Sequence, residues 1–125
     1  MGRKTALIID DEADHGRIIA LNLKDRGFDT VLAYSGEDGF NKAKSIKPDL
    51  ITMDLLMPGE DGIDVIKKMG EDEATKNIPI VVVTVLDNRN LKKELEKNDR
   101  IAGYLVKPVK SGDFTAITNK VIRKG

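Results

Sequence analysis

Cysteine and tryptophan are absent from this 125-residue chain, and histidine occurs once. Without cysteine there is no disulfide framework, no thiolate nucleophile and no Cys/His zinc site. No apolar run approaches the ~18 residues that would suggest a membrane span. Met1-Gly2-Arg3-Lys4 leads straight into a strand-like segment rather than a signal-peptide h-region. The expectation is therefore a cytoplasmic protein with no membrane partner. An excess of one charge is missing too: Lys plus Arg number 21, and so do Asp plus Glu. That balance argues against direct nucleic-acid binding through this chain. Internal repeats, low-complexity tracts and long linkers are also lacking. What is present is 40% hydrophobic and 34% charged residues, the mixture of a soluble globular protein. The length suits one domain over 1–125, able to bury roughly 68% of the surface its unfolded form exposes.

Strand-like and helix-like segments alternate. Strands are expected at Thr5 to Asp10, Phe28 to Ala33, Leu50 to Met53, Ile80 to Val85 and Tyr104 to Val106. The run Ile80-Val81-Val82-Val83 is apolar without alternation, as in a strand covered on both faces. A first helix, Ala13 to Arg26, places His15, Ile18, Ile19 and Leu23 near one stripe and stops at Gly27. A second opens at Ser35 with Asp38 three residues on, a capping pattern, and ends by Pro48. The third runs from Gly62 through Ile63, Ile66 and Met69 to Gly70. A fourth, Asn90 to Asn98, is mostly charged, and a fifth carries Phe114, Ile117 and Val121 at helical spacing. Five strands alternating with five helices imply βαβ crossovers and one α/β domain with a parallel sheet between helices.

Ligand sites in open parallel sheets form at the carboxyl ends of strands. Here those ends read Asp10-Asp11-Glu12, Asp54, Thr84 and Lys107-Pro108. Carboxylates converging to ~4 Å repel by about 4 kcal/mol per pair at an effective dielectric near 20. Such a cluster needs raised pKa values or a cation, and a hard divalent ion, Mg²⁺ or Mn²⁺, suits carboxylates and waters. Lys107 adds a compact positive charge and Thr84 a hydroxyl. Together they suit an incoming phosphoryl group, whose transfer depends on positioning and charge stabilisation. Adjacent Asp10 and Asp11 are placed to hold metal. Asp54 stands alone before Leu56-Met57-Pro58-Gly59, whose Leu56 backbone carbonyl can turn back to the cation. Asp54 is the expected nucleophile.

With the Met57-Pro58-Gly59-Glu60-Asp61-Gly62 loop, this set resembles the receiver domains of two-component response regulators, in order and over essentially the whole chain. The resemblance implies a flavodoxin-like, doubly wound five-stranded parallel sheet of order 2-1-3-4-5. It also implies Mg²⁺-dependent phosphorylation at Asp54 by a sensor histidine kinase or phosphotransfer protein, with Asp10, Asp11, Asp54 and the Leu56 carbonyl as metal ligands. Lys107 and Thr84 assist the transfer, and Lys107-Pro108 resembles the family's cis peptide. Thr84 and Tyr104 form the switch, Tyr104 swinging inward to alter a surface read by a downstream protein target or fused effector. A phosphorylation-dependent dimer is a further option. Such a domain is no enzyme beyond catalysing its own phosphorylation and dephosphorylation. No output domain is expected within the chain, and its Thr84-Val85-Leu86-Asp87 segment leans towards receivers attached to hybrid kinases.

Some positions depart from the commoner pattern. Val85 stands where a small residue is usual, and its methyls would narrow access to the site. Leu56 and Leu86 are apolar where polar side chains often orient water, which predicts slow loss of phosphate. Asp99-Arg100-Ile101-Ala102 replaces the usual turn before the fifth strand. Three rivals stay open. An aspartate-nucleophile phosphatase would want an acid at Leu56. A flavodoxin-like cofactor binder would want a Ser/Thr/Gly-rich loop in place of Asp10-Asp11-Glu12. A degenerate receiver would act as a constitutive interaction module. His15 is expected to be half-buried on the first helix, not a phosphohistidine, and Glu12 to lie near the metal without ligating it.

Overall fold

The computed structural model describes residues 3–124. The elements are β1 (Lys4–Ile9), α1 (Ala13–Lys24), β2 (Phe28–Ala33), α2 (Gly36–Ile46), β3 (Leu50–Met53), β4 (Leu56–Met57), β5 (Glu60–Asp61), α3 (Gly62–Glu71), β6 (Ile80–Thr84), α4 (Arg89–Glu96), β7 (Ile101–Val106), a 3₁₀ turn (Ser111–Phe114) and α5 (Thr115–Lys124). Five strands form one parallel sheet in the order β2-β1-β3-β6-β7. β4 and β5 form a separate two-residue antiparallel hairpin. Counting sheet strands alone, the order is the expected 2-1-3-4-5, and the fold is flavodoxin-like.

Alternate residues of each central strand feed two cores. Leu7, Ile9, Ile51, Met53 and Val82 face the side covered by α2 and α3, where Ala43, Val65, Ile66 and Met69 meet them. Ala6, Ile8, Val81 and Val83 face the other side, with Ile19, Leu23, Phe114, Ile117 and Val121. All five residues of β6 are buried, which explains its unbroken apolar run: both faces are covered. Each large apolar side chain so buried contributes roughly 1.5–3 kcal/mol.

Several boundaries differ from the sequence reading. β1 ends at Ile9 and β6 at Thr84, one residue early in each case. β7 begins at Ile101, three residues before Tyr104. Gly103 obscures that start, because glycine disfavours strands. It packs closely: a Cβ there would lie 2.7 Å from Ile117 Cδ1, and the Ile117 side chain would have to shift. Ile18, expected to face inward, is 47% exposed. The inward stripe of α1 is instead Gly16, Ile19, Ala20 and Leu23, half of it small residues that a search for bulky apolar positions passes over. Ser35 caps α2 as expected, accepting from Asp38 N at 3.1 Å. Phe114 closes the 3₁₀ turn that leads into α5.

Candidate functional site

Strand register brings the carboxylates together. Ile9 of β1 pairs with Met53 of β3, so Asp10 and Asp54 are the next residues on neighbouring strands. The ladder runs on through them: Asp10 N donates to Ala33 O at 3.0 Å and Asp54 N to Ile9 O at 3.1 Å. Thr84 pairs with Val106, which puts Lys107 one residue beyond, its N–H donating to Thr84 O at 2.8 Å. The Lys107–Pro108 peptide is cis.

Lys107 reaches back over the sheet end. Its Nζ donates to Asp10 Oδ2 at 2.8 Å and Asp54 Oδ2 at 3.1 Å, and all three side chains are at most 5% exposed. The other oxygens are held from the backbone: Glu12 N donates to Asp10 Oδ1 at 2.9 Å and Leu56 N to Asp54 Oδ1 at 3.0 Å. Asp11 completes the cluster, with carboxylate oxygens of Asp10, Asp11 and Asp54 within 4.8 Å of one another. Burial pushes the Asp54 carboxyl above its usual range, against the pull of the Leu56 N–H and the Lys107 ammonium. Burial also draws the Lys107 ammonium down, but its bonds to Asp10 and Asp54 outweigh this and leave it raised.

One ammonium faces three carboxylates, so the site is short of positive charge. An all-oxygen donor set, with Asp10 and Asp54 buried and Asp11 partly exposed, fits a hard divalent cation. Glu12 lies at the N-cap of α1, where no side-chain cap bond forms; its carbonyl accepts from Gly16 N at 3.0 Å.

Thr84 is fully buried, and its Oγ1 accepts from Leu86 N at 3.3 Å. Tyr104 is already inward: the residue is 7% exposed, and its hydroxyl donates to Leu86 O at 2.6 Å. Leu86 thus links the two, its N–H to Thr84 and its carbonyl to Tyr104. Val85, between Thr84 and Leu86, is 56% exposed. Pro58-Gly59 turns the hairpin, with Gly59 at a φ of 72°, and Leu56 on its first strand is half-exposed. Leu55, Leu56, Met57, Ile63 and Leu86 give a groove of about 630 Å³ beside Asp11 a largely apolar wall. Sequence reasoning missed one neighbour: His15 Nδ1 lies 3.4 Å from Lys107 Nζ. It stands four positions after Asp11, and only the path of α1 brings it back to the lysine.

A doubly wound sheet with these residues at its carboxyl edge defines a receiver-like α/β domain. The chain belongs to the response regulator receiver domain family, whose family model matches residues 6–119. It is similar to the alkaline phosphatase synthesis transcriptional regulatory protein PhoP of Bacillus subtilis (strain 168), 32% identical over 124 residues, covering 97% of this chain and 49% of that protein. It also resembles the hybrid signal transduction histidine kinase D of Dictyostelium discoideum, 33% identical over 110 residues, covering 88% of this chain and 7% of that one. Among solved structures, a sensor protein from Polaromonas sp. JS666 superposes with a TM-score of 0.87 at 25% identity, covering 98% of each chain. The chemotaxis protein CheY4 of Vibrio cholerae gives 0.84 at 24%, covering 96% of this chain and 99% of that one, a likeness of fold alone. The chain spans about half the length of PhoP. No helix among the described residues is long and apolar enough to cross a membrane.

Proposed function

We propose that this domain, a single unit over 1–125, accepts a phosphoryl group on Asp54 from the phosphohistidine of a sensor kinase or phosphotransfer protein. The observation that carries the reading is the buried Asp54 carboxylate, bonded to Lys107 at 3.1 Å with Asp10 and Asp11 beside it. An Asp54 carboxylate oxygen attacks phosphorus. The O–P bond forms as the P–N bond breaks, and the imidazole leaves with the electron pair. The Lys107 ammonium transfers one hydrogen bond from Asp54 Oδ2 to a phosphoryl oxygen, following the charge as it develops. The Thr84 hydroxyl, whose proton is free to rotate, donates to another. Asp10, Asp11, Asp54 and the Leu56 carbonyl would hold Mg²⁺ or Mn²⁺, which supplies charge neutralisation for the phosphoryl oxygens. Leu56 offers no proton two residues after the nucleophile, which supports a regulatory protein that modifies only itself over a phosphatase with turnover.

Thr84 and Tyr104 form the switch. A phosphoryl oxygen would draw the Thr84 hydroxyl towards it, and Leu86 passes that shift to the Tyr104 hydroxyl. Because the ring is already inside, phosphorylation would hold this setting by population shift rather than create it. The surface held in this setting would act on a fused effector or a separate protein target, from the cytoplasm. Intact mass after treatment with acetyl phosphate and Mg²⁺ tests the reading, for wild type and Asp54→Asn. A phosphate-sized gain that needs both the metal and Asp54 is expected. No gain in wild type, or a gain that survives Asp54→Asn, overturns it.

A further inference from the structure

His15 sits in the first turns of α1, its side chain 38% exposed, and the phosphotransfer chemistry above leaves it idle. Its Nδ1 is 3.4 Å from Lys107 Nζ, which also lies 2.8 Å from Asp10 Oδ2 and 3.1 Å from Asp54 Oδ2. An ammonium carries three donors and no acceptor. At 5% side-chain exposure, Lys107 has three protein acceptors for its three protons and little access to water.

We propose that His15 is a positioning residue, the neutral third acceptor that aims the Lys107 ammonium during phosphoryl transfer to Asp54. The inference rests on the phosphoacceptor reading and goes beyond it. Transfer changes two of the three partners of Lys107. One Asp54 oxygen is consumed by the new O–P bond, and Asp10 would be shared with a bound metal. His15 keeps its place. Being uncharged, it directs the ammonium without competing electrostatically with the phosphoryl oxygens, as a third carboxylate would.

The contact also fixes the tautomer. Nδ1 must turn its lone pair to the ammonium, which leaves the ring proton on Nε2. Glu12 Oε1 is 3.3 Å from the same Nδ1 and would favour the opposite tautomer. The Glu12 side chain is 58% exposed, however, and its charge is screened by water, while the ammonium is buried. Ile18, Ile19, Val83, Pro108 and Val109 line a cavity of about 90 Å³ that His15 and Lys107 also border. Without the imidazole, the lysine would have space in which to turn away from the site.

Three variants separate positioning from simple wall-filling. His15→Asn puts an amide oxygen where Nδ1 was; His15→Gln extends its amide towards the Nε2 position; His15→Ala has neither. Phosphate gain is followed by intact mass over a range of acetyl phosphate and Mg²⁺ concentrations. Removal of a hydrogen bond to a charged donor should lower the maximal rate about ten- to a hundredfold in the Ala and Gln variants. The Mg²⁺ concentration for half-maximal rate should not move, and the Asn variant should recover most of the rate. Equal rates in Ala and Asn, whether fast or slow, overturn the proposal. A second measurement needs no phosphorylation, so it stands even if Asp54 proves unreactive. His15 is the only histidine, so its ring nitrogens give an unambiguous ¹⁵N spectrum. Expected at mildly alkaline pH is an Nε2–H tautomer whose Nδ1 resonance shifts in Lys107→Met; an Nδ1–H tautomer, or no shift, overturns the proposal.

Discussion

The two ends of the sheet carry similar residue types and do different things with them. At the amino end, Lys4, Asp49, Asp99, Arg100 and Lys120 line a cleft of about 470 Å³. Their charges are of both signs and at least partly exposed, and two of the groups are spent on structure. Asp49 Oδ2 accepts from Thr5 N at 2.9 Å, and Arg100 Nη2 donates to Ile66 O at 2.9 Å in the middle of α3. At the carboxyl end, Asp10, Asp54 and Lys107 are almost wholly buried, and three carboxylates outnumber one ammonium. Space alone does not mark the chemistry. Uncompensated charge removed from water does, because burial raises the cost of leaving it unmatched.

The largest expected effect separates the ends outright. Lys107→Met should slow phosphate gain by acetyl phosphate about 10²–10³-fold, the scale of losing one preorganised charge donor. Asp99→Asn combined with Lys120→Met, in the opposite cleft, should leave the time course by intact mass unchanged. A comparable slowing there would break the comparison. Next comes the backbone beneath the site. A Cβ at Gly62 would lie 2.5 Å from Asp54 O and 2.6 Å from Leu55 Cα, and backbone atoms cannot turn aside as side chains do. Gly62→Ala should cost about 1–3 kcal/mol, read as a lower urea midpoint.

Smaller still is the effect of the apolar wall. Leu56 offers no group to orient a water at the acyl phosphate, so Leu56→Asn should shorten its lifetime about three- to tenfold, the worth of one added hydrogen bond. A wild-type half-life no longer than the variant's refutes this. The smallest effect is one of pH. Burial, with the Asp87 charge second, raises the Tyr104 phenol above its ordinary 10.0. As pH passes 10.0 the unfolded chain gives up that proton while the folded one keeps it, so the folded state binds more protons and stability falls. Below 10.0 this contribution is constant. Tyr104→Phe should flatten the decline in urea unfolding; an unchanged slope would show that Tyr104 titrates as in the unfolded chain.

Much of this was legible because it follows from short-range rules. The unbroken apolar run at Ile80-Val81-Val82-Val83 announces a doubly covered strand, and ionisable residues at the ends of Ile9, Met53 and Val106 announce the site. What was hidden depends on contacts between distant residues. Gly103 reads as a strand breaker until Ile117 is seen against it. The pairing of Leu56–Met57 with Glu60–Asp61 is too short to show a period of two. In α1 the buried small residues Gly16 and Ala20 carry little apolar signal, so the pattern of bulky residues runs through Ile18 instead. The approach of His15 to Lys107 joins positions 92 apart in sequence, and no local pattern encodes it.

α4 has no buried residue; it is attached to the core through the partly buried Leu91 and Leu95, while its other six positions face solvent. Exposed substitutions of that kind seldom change stability by more than about 0.5 kcal/mol. Over evolutionary time this helix is therefore a cheap surface to rewrite. A duplicated copy of the gene could drift at Arg89, Asn90, Lys92, Lys93, Glu94 and Glu96 at little cost to folding, whereas change at the buried strand ends would not be so cheap.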